Sequence, residues 1–230
     1  MKLLLFDVDA TLILTGGAGL RALNRAFQRL FNVDSAMKDI APHGKTDPAI
    51  VREIFHKKLN TKDLADSEVA RVLEDYVGFL REEVETTDKY EILPGILDIL
   101  QEMSARSDVL LGLATGNIET GARIKLRRGD LNQFFSFGGY GSDSESRVDL
   151  VRRAAEKASN HHGGPIPDDD IVVIGDTPRD IDAGRDAGFK TVGVATGQYS
   201  VEQLRDAGAD LAIRNFRDDR AYFLRSTFIE

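Results

Sequence analysis

At 230 residues, with 42% hydrophobic and 30% charged side chains, the chain has the make-up of a soluble globular protein that buries a sizeable core as one large domain or two smaller ones. A net charge of −8 argues against nucleic acid as the main partner, and the absence of cysteine excludes disulfides and thiolate metal sites. No signal-peptide pattern follows Met1-Lys2 and no apolar run approaches membrane-spanning length, so a cytoplasmic protein with no membrane partner is expected. Composition leaves the oligomeric state open.

In chain order, the first predicted element is a buried strand over residues 2–7, built on Leu3-Leu4-Leu5-Phe6. Further strands are predicted over 109–115, 171–176, 191–195 and 211–214, with a short addition over 134–137. These runs are apolar throughout rather than alternating, as parallel strands covered on both faces should be. Helical patterns lie between them, over 96–105, 118–128, 147–159, 179–187 and 201–207. The alternation reads as an α/β fold with a doubly wound, Rossmann-like parallel sheet. One region breaks the rhythm. From Gly16 to Tyr90 the pattern predicts helices over 19–31, 47–58 and 67–85, the last with Val69, Val72, Leu73, Tyr76, Val77, Leu80 and Val84 at helical spacing. The expected organisation is an α/β core from residues 1–15 and 91–230, with an all-helical cap from 16–90. Gly16-Gly17 and Leu93-Pro94-Gly95 are its hinge candidates. Such an insertion sits over the C-terminal strand ends, where open α/β sheets bind ligands.

The chemistry-bearing residues fall at those strand ends. Asp7-Val8-Asp9-Ala10-Thr11 places two carboxylates at the end of the first strand, and a divalent cation is the obvious compensation. Within the insertion, Gly44-Lys45-Thr46-Asp47-Pro48 leads into a helix. Lys45 is either a solvated lysine or one that meets a substrate anion, and Thr46 or Asp47 caps the helix. Thr115-Gly116-Asn117 reads either as an ordinary strand–turn–helix cap, with Asn117 capping, or as an anion cradle. Arg147, opening a helix after Asp143-Ser144-Glu145, either pairs with its acidic neighbours or binds phosphate oxygens. His161 and His162 read as part of a surface loop over 160–165. Asp176 ends an apolar strand, and Asp180 follows in the first turn of the next helix, after Pro178.

Taken in order, these four strand-end motifs resemble the haloacid dehalogenase superfamily, in its phosphatase branch with a helical cap, similar to phosphoglycolate phosphatases. The resemblance runs from residue 2 to about 215. It implies that Asp7 attacks phosphorus and that Asp9 serves as acid and then base. It also implies Mg²⁺ held by Asp7, the Asp9 carbonyl and Asp176, with Asp180 ligating through water or orienting another ligand. Thr115, Gly116 and Asn117 would bind transferring oxygens together with Arg147, and Lys45 would meet the substrate. Two positions depart from the family pattern. Ala10 stands where the family has Gly, and the family's motif-three lysine is missing, since none lies between Lys125 and Lys157. Arg147 is the substitute by position, and Lys157, ten residues into its helix, is expected to face solvent. The implied partner is a small phosphorylated metabolite. Alternatives are a phosphosugar mutase of β-phosphoglucomutase type and a non-catalytic module that keeps the fold.

Overall fold

Leu3, Leu4, Leu5 and Phe6 are all wholly inaccessible, which requires the first strand to be covered on both faces and flanked on both edges. The computed structural model, which describes residues 1–61 and 63–228, shows how this is met. In chain order the elements are β1 (Lys2–Phe6), β2 (Ile13–Thr15), α1 (Ala18–Phe31), α2 (Asp47–Leu59), α3 (Asp66–Thr86), β3 (Tyr90–Ile92), α4 (Ile96–Ser104), β4 (Val109–Thr115) and α5 (Glu119–Arg127). They continue with β5 (Gly138–Tyr140), α6 (Arg147–His162), β6 (Ile171–Gly175), α7 (Pro178–Ala187), β7 (Lys190–Val194), α8 (Val201–Asp206), β8 (Leu211–Ile213) and α9 (Arg220–Phe228).

The main sheet has six strands in the order β5-β4-β1-β6-β7-β8, all parallel. The fold is the expected α/β doubly wound one. Side chains alternate across the sheet. Leu4 and Phe6 join α4, α5 and the Phe216–Phe223 pair on one face, while Leu3 and Leu5 join Leu150, Val151 and Ala154 of α6 on the other. After β1 the chain moves one way along the sheet, to β4, and after β6 it moves the other way, to β7. The crevice between the ends of β1 and β6 is therefore the topological switch point, where ligands bind in such sheets.

Helices α1, α2 and α3 build a separate apolar cluster, with Phe27, Phe31 and Phe55 in mutual ring contact at 4.9–5.6 Å. Leu73 and Val77 of the expected apolar stripe are only partly buried against it. Among the described residues no helix is long and apolar enough to cross a membrane.

Four local expectations change. Residues 13–15 and 90–92, which carry no strand pattern, pair as an antiparallel ribbon in the register Ile13↔Ile92 and Thr15↔Tyr90, so the helical insertion rises from a hydrogen-bonded stem. Three-residue strands are too short for periodicity to register. The edge strand lies at Gly138–Tyr140 rather than 134–137 because α6 packs against its backbone. A Cβ on Gly139 would fall 1.8 Å from the Leu150 carbonyl oxygen, so only glycine fits there. His161 and His162 complete the last turn of α6 rather than a loop, which Gly163 terminates with φ +85°, and the His161 ring lies 5.4 Å from that of Phe137. Helix α9 was not anticipated; Phe223 holds it down, 5.0 Å from Phe216.

Beyond Asp9 the chain must turn back into the stem, and it does so through Ala10 at φ +58°. The Ala10 N–H donates to the Ile13 carbonyl at 2.8 Å, and the Thr196 hydroxyl donates to the Ala10 carbonyl at 2.6 Å. An alanine methyl group in this left-handed region is unfavourable, and glycine is free of it. Ala10→Gly should therefore raise the unfolding free energy by roughly 0.5–1 kcal/mol after allowing for its greater unfolded-chain entropy. Urea unfolding with an unchanged m-value checks this, and a lower midpoint in the variant would show that the turn is unstrained.

Candidate active site

Strand pairing fixes the first carboxylate. The Asp7 N–H donates to the Ile174 carbonyl at 2.9 Å, so β1 and β6 stay joined to the last residue before the crevice. Asp176 follows β6, and Asp180 stands in the first turn of α7. Carboxylate oxygens of Asp7, Asp176 and Asp180 all lie within 4.8 Å of one another, and all three side chains are buried. Burial first, and then repulsion from Asp180, pushes Asp7 up to about 7 and Asp176 up to about 8. Arg147 reaches into the group, ion-paired to Asp180 Oδ1 and 3.9 Å from Asp7 Oδ1. With all three carboxylates ionised, one guanidinium leaves two negative charges uncompensated. An all-oxygen donor set with that excess fits a hard divalent cation.

The residues do not share this work equally. Asp180 Oδ2 accepts from the Thr177 N–H at 3.1 Å and the Thr177 hydroxyl at 2.7 Å, a capping box that starts α7, while Oδ1 takes Arg147. Its contacts are those of a residue that orients Arg147. Gly197 presses on Asp176, where a Cβ would fall 1.9 Å from Oδ2. The Asp9 side chain stands apart from this cluster, about half exposed.

Asp9 is held from the next strand. Asn117 Nδ2 donates to Asp9 Oδ2 and to Thr115 Oγ1, each at 2.8 Å. Asn117 is thus not the helix cap that its position suggested. Lys125, a residue the sequence reading passed over, places its Nζ 2.6 Å from both Asp9 Oδ2 and Asn117 Oδ1. A signal for it existed. Lys125 lies four residues after Gly121 and three after Ala122, on the buried face of α5, where an ammonium needs partners. Lys157 also departs from expectation. Its Nζ donates to the Gly138 carbonyl at 2.9 Å and pairs with Asp143 at 2.8 Å instead of facing solvent freely. Lys45 lines the cavity but is ion-paired to Glu53, and Thr46 rather than Asp47 caps α2, accepting from the Ala49 N–H. Asp7, Asp9, Lys45, Thr115, Gly116, Asn117, Arg147 and Asp176 all border one cavity of about 820 Å³ between the sheet and the insertion.

The sequence matches the family of haloacid dehalogenase-like hydrolases over residues 4–194. The chain belongs to that family. It is a hydrolase, and the strand-end carboxylates lie inside the matched span. Solved structures agree in fold. A predicted phosphatase from Clostridium acetobutylicum aligns at 18% identity and TM-score 0.72, covering 97% of this chain and 98% of that one. A hydrolase from Pseudomonas syringae aligns at 23% identity and TM-score 0.72 with the same coverage. CbbY from Rhodobacter sphaeroides, solved with phosphate, aligns at 20% identity and TM-score 0.73, covering 95% of this chain and 96% of that one. Among curated proteins none matches the sequence.

In this hydrolase the insertion is docked onto the strand-end loops by backbone as well as side chains. The Asp47 N–H donates to the Gly116 carbonyl at 2.8 Å, and Asp47 Oδ2 accepts the Ile118 N–H at 2.9 Å, at the start of α5. Asp47 thus serves as the cap of a helix 71 residues away, the role expected of Asn117. Gly116 and Gly141 allow the approach, since a Cβ on either would fall 2.2–2.3 Å from a carbonyl oxygen of Lys45 or Gly116.

Two outcomes follow from these charges. A divalent cation held by this cluster, at about a hundred times its dissociation constant, should stabilise the folded protein by about 2.7 kcal/mol, and Asp176→Asn should abolish the response. Thermal melts with Mg²⁺ and with EDTA check this, and an unaltered response in the variant would move the site elsewhere. Asp47 offers a separate test. Burial raises it from 3.8 to about 6 against the opposing pull of Lys125 and the Ile118 N–H. The folded state therefore binds the proton more tightly, and stability falls as pH rises from about 4 to about 6. Asp47→Asn keeps a carbonyl for Ile118 and cannot ionise, so its stability relative to wild type should climb by up to ~3 kcal/mol across that window. Urea midpoints at pH 4 and pH 7 measure it, and a difference independent of pH would contradict the burial argument.

Proposed function

We propose that this hydrolase is a Mg²⁺-dependent phosphatase that cleaves a small-molecule phosphate monoester through an aspartyl-phosphate on Asp7. The observation that carries the reading is the division of labour between two carboxylates one residue apart. Asp7 is buried beside the cation site and Arg147, while Asp9 is turned away from that cluster, half exposed to the cavity and tied to Asn117 and Lys125. One carboxylate is placed to attack and the other to exchange a proton with a leaving group.

In the first step an Asp7 oxygen attacks phosphorus, the bond to the leaving oxygen breaks, and the proton of the Asp9 carboxyl passes to that oxygen. In the second, Asp9 takes a proton from water, the water oxygen attacks the aspartyl-phosphate, and phosphate leaves with the Asp7 carboxylate restored. The Thr115 hydroxyl, the Gly116 N–H and Arg147 would hold the transferring oxygens. Asp7, the Asp9 carbonyl and Asp176 would hold Mg²⁺, with Asp180 orienting the set; the bound cation would screen the dianionic ester from Asp7 and stabilise its developing charge.

The helical insertion over 16–90 acts as the cap. With the Asp47 seam closed it confines the cavity, which suits a phosphoglycolate-like ester or a sugar phosphate rather than a macromolecule, and Lys45 would meet the substrate from above once released from Glu53. Such metabolites belong to the cytoplasm, where we place the enzyme. Asp7→Asn should lower Mg²⁺-dependent phosphate release from p-nitrophenyl phosphate by about a thousandfold or more. Full activity in that variant would remove Asp7 as nucleophile. On hexose phosphates, free phosphate should accumulate, and an isomerised sugar phosphate in its place would mark a mutase.

A further inference from the structure

Lys125 is a buried lysine on a helix face that otherwise carries small and apolar side chains. It lies on the buried face of α5 beside Ile124 and Leu126, and its side chain is 5% exposed. Desolvating an ammonium costs several kcal/mol unless its partners replace water well. Here they do, since Asp9 Oδ2 and Asn117 Oδ1 each lie 2.6 Å from Nζ. Asn117 then donates to the same Asp9 oxygen at 2.8 Å. Two donors therefore converge on Oδ2, and among the described residues no hydrogen bond reaches Oδ1. The insertion covers this tether from above. Helix α1 passes over it at Gly19, whose Cβ would stand 3.7 Å from Lys125 Nζ and 3.5 Å from the Tyr76 hydroxyl. A side chain longer than alanine would press on both.

We propose that Lys125 is a positioning residue for Asp9. With Asn117 it fixes Oδ2 and so leaves Oδ1 as the oxygen that exchanges a proton with the leaving group. Its charge also sets Asp9 apart from the acidic cluster. The ammonium offsets Asp9, so the uncompensated charge that draws a cation stays with Asp7, Asp176 and Asp180. Without the tether Asp9 would be free to turn toward the cation and lose its place beside the leaving oxygen. The inference rests on the phosphatase reading, in which Asp9 supplies that proton.

The test separates proton delivery from folding. An aryl phosphate such as p-nitrophenyl phosphate releases a phenolate that needs no proton, whereas an alkyl phosphate releases an alkoxide that does. Lys125→Met should lower kcat/KM for an alkyl phosphate by about 10²-fold or more, a general-acid effect, with p-nitrophenyl phosphate affected roughly tenfold less, because kcat/KM reports the steps up to departure of the leaving group and not the later hydrolysis that both esters share. KM and the Mg²⁺-dependent thermal shift should stay near wild type. Lys125→Gln, which removes the ammonium but keeps a polar group among the buried partners, should show the same asymmetry and carries the test if Lys125→Met does not fold. Equal losses on both esters, or a loss confined to KM, would overturn the positioning role. A wild-type protein that cleaves neither ester would instead overturn the phosphatase reading, and this inference with it.

Discussion

Two negative charges in excess at the junction of β1 and β6 govern the rest of this structure. Parallel pairing carries Asp7 and Asp176 to adjacent strand ends, and the capping box of α7 brings Asp180 beside them. Burial would drive such a cluster to hold protons near neutral pH, as the raised Asp7 and Asp176 show. Arg147 offsets one carboxylate and is itself steered by Asp180. What remains is a set of oxygens suited to a divalent cation. The same crowding explains why Asp9 needs its own counter-charge. Lys125 supplies it, at 2.6 Å from Asp9 Oδ2.

The insertion is tied to this arrangement through hydrogen bonds rather than apolar contact alone. Asp47 closes the start of α5, and its N–H meets the carbonyl of Gly116 in the loop after β4. The loop that holds Thr115 and Asn117 is thus also the surface on which the insertion rests. Arg52 extends the seam, pairing with Asp66 on α3 and with Glu145 just before α6. The antiparallel stem of β2 and β3 keeps the two connections side by side.

Most of the fold was legible because its signals are local and repeated. Five apolar runs separated by amphipathic helices leave little choice but a covered parallel sheet, and the carboxylates stood out because charge at the end of such a run is unusual. The stem ribbon, the edge strand and α9 were missed for different reasons. The ribbon is too short to show a period. Two of the three edge-strand residues are glycine, chosen for the approach of α6 and not for strand propensity. Helix α9 is held by one buried phenylalanine against the core and has little amphipathic pattern of its own.

At the site, the sequence by itself determined which residues end the strands: Asp7, Asp9, Thr115 and Asp176 are placed by chain order and by the apolar runs before them. The resemblance to the family marked Ala10 as standing where glycine is usual, and the folded chain shows it at a positive φ. Only the tertiary structure decided the pairings. Lys125 and Asp9 are 116 residues apart, and Asp47 and Ile118 are 71 apart. No periodicity links such positions, because the geometry that joins them is the packing of α5 and the insertion onto the sheet. The two aspartates one residue apart were plain in the chain; that one lies buried among acids and the other is tied to a lysine from another helix is a property of the folded molecule.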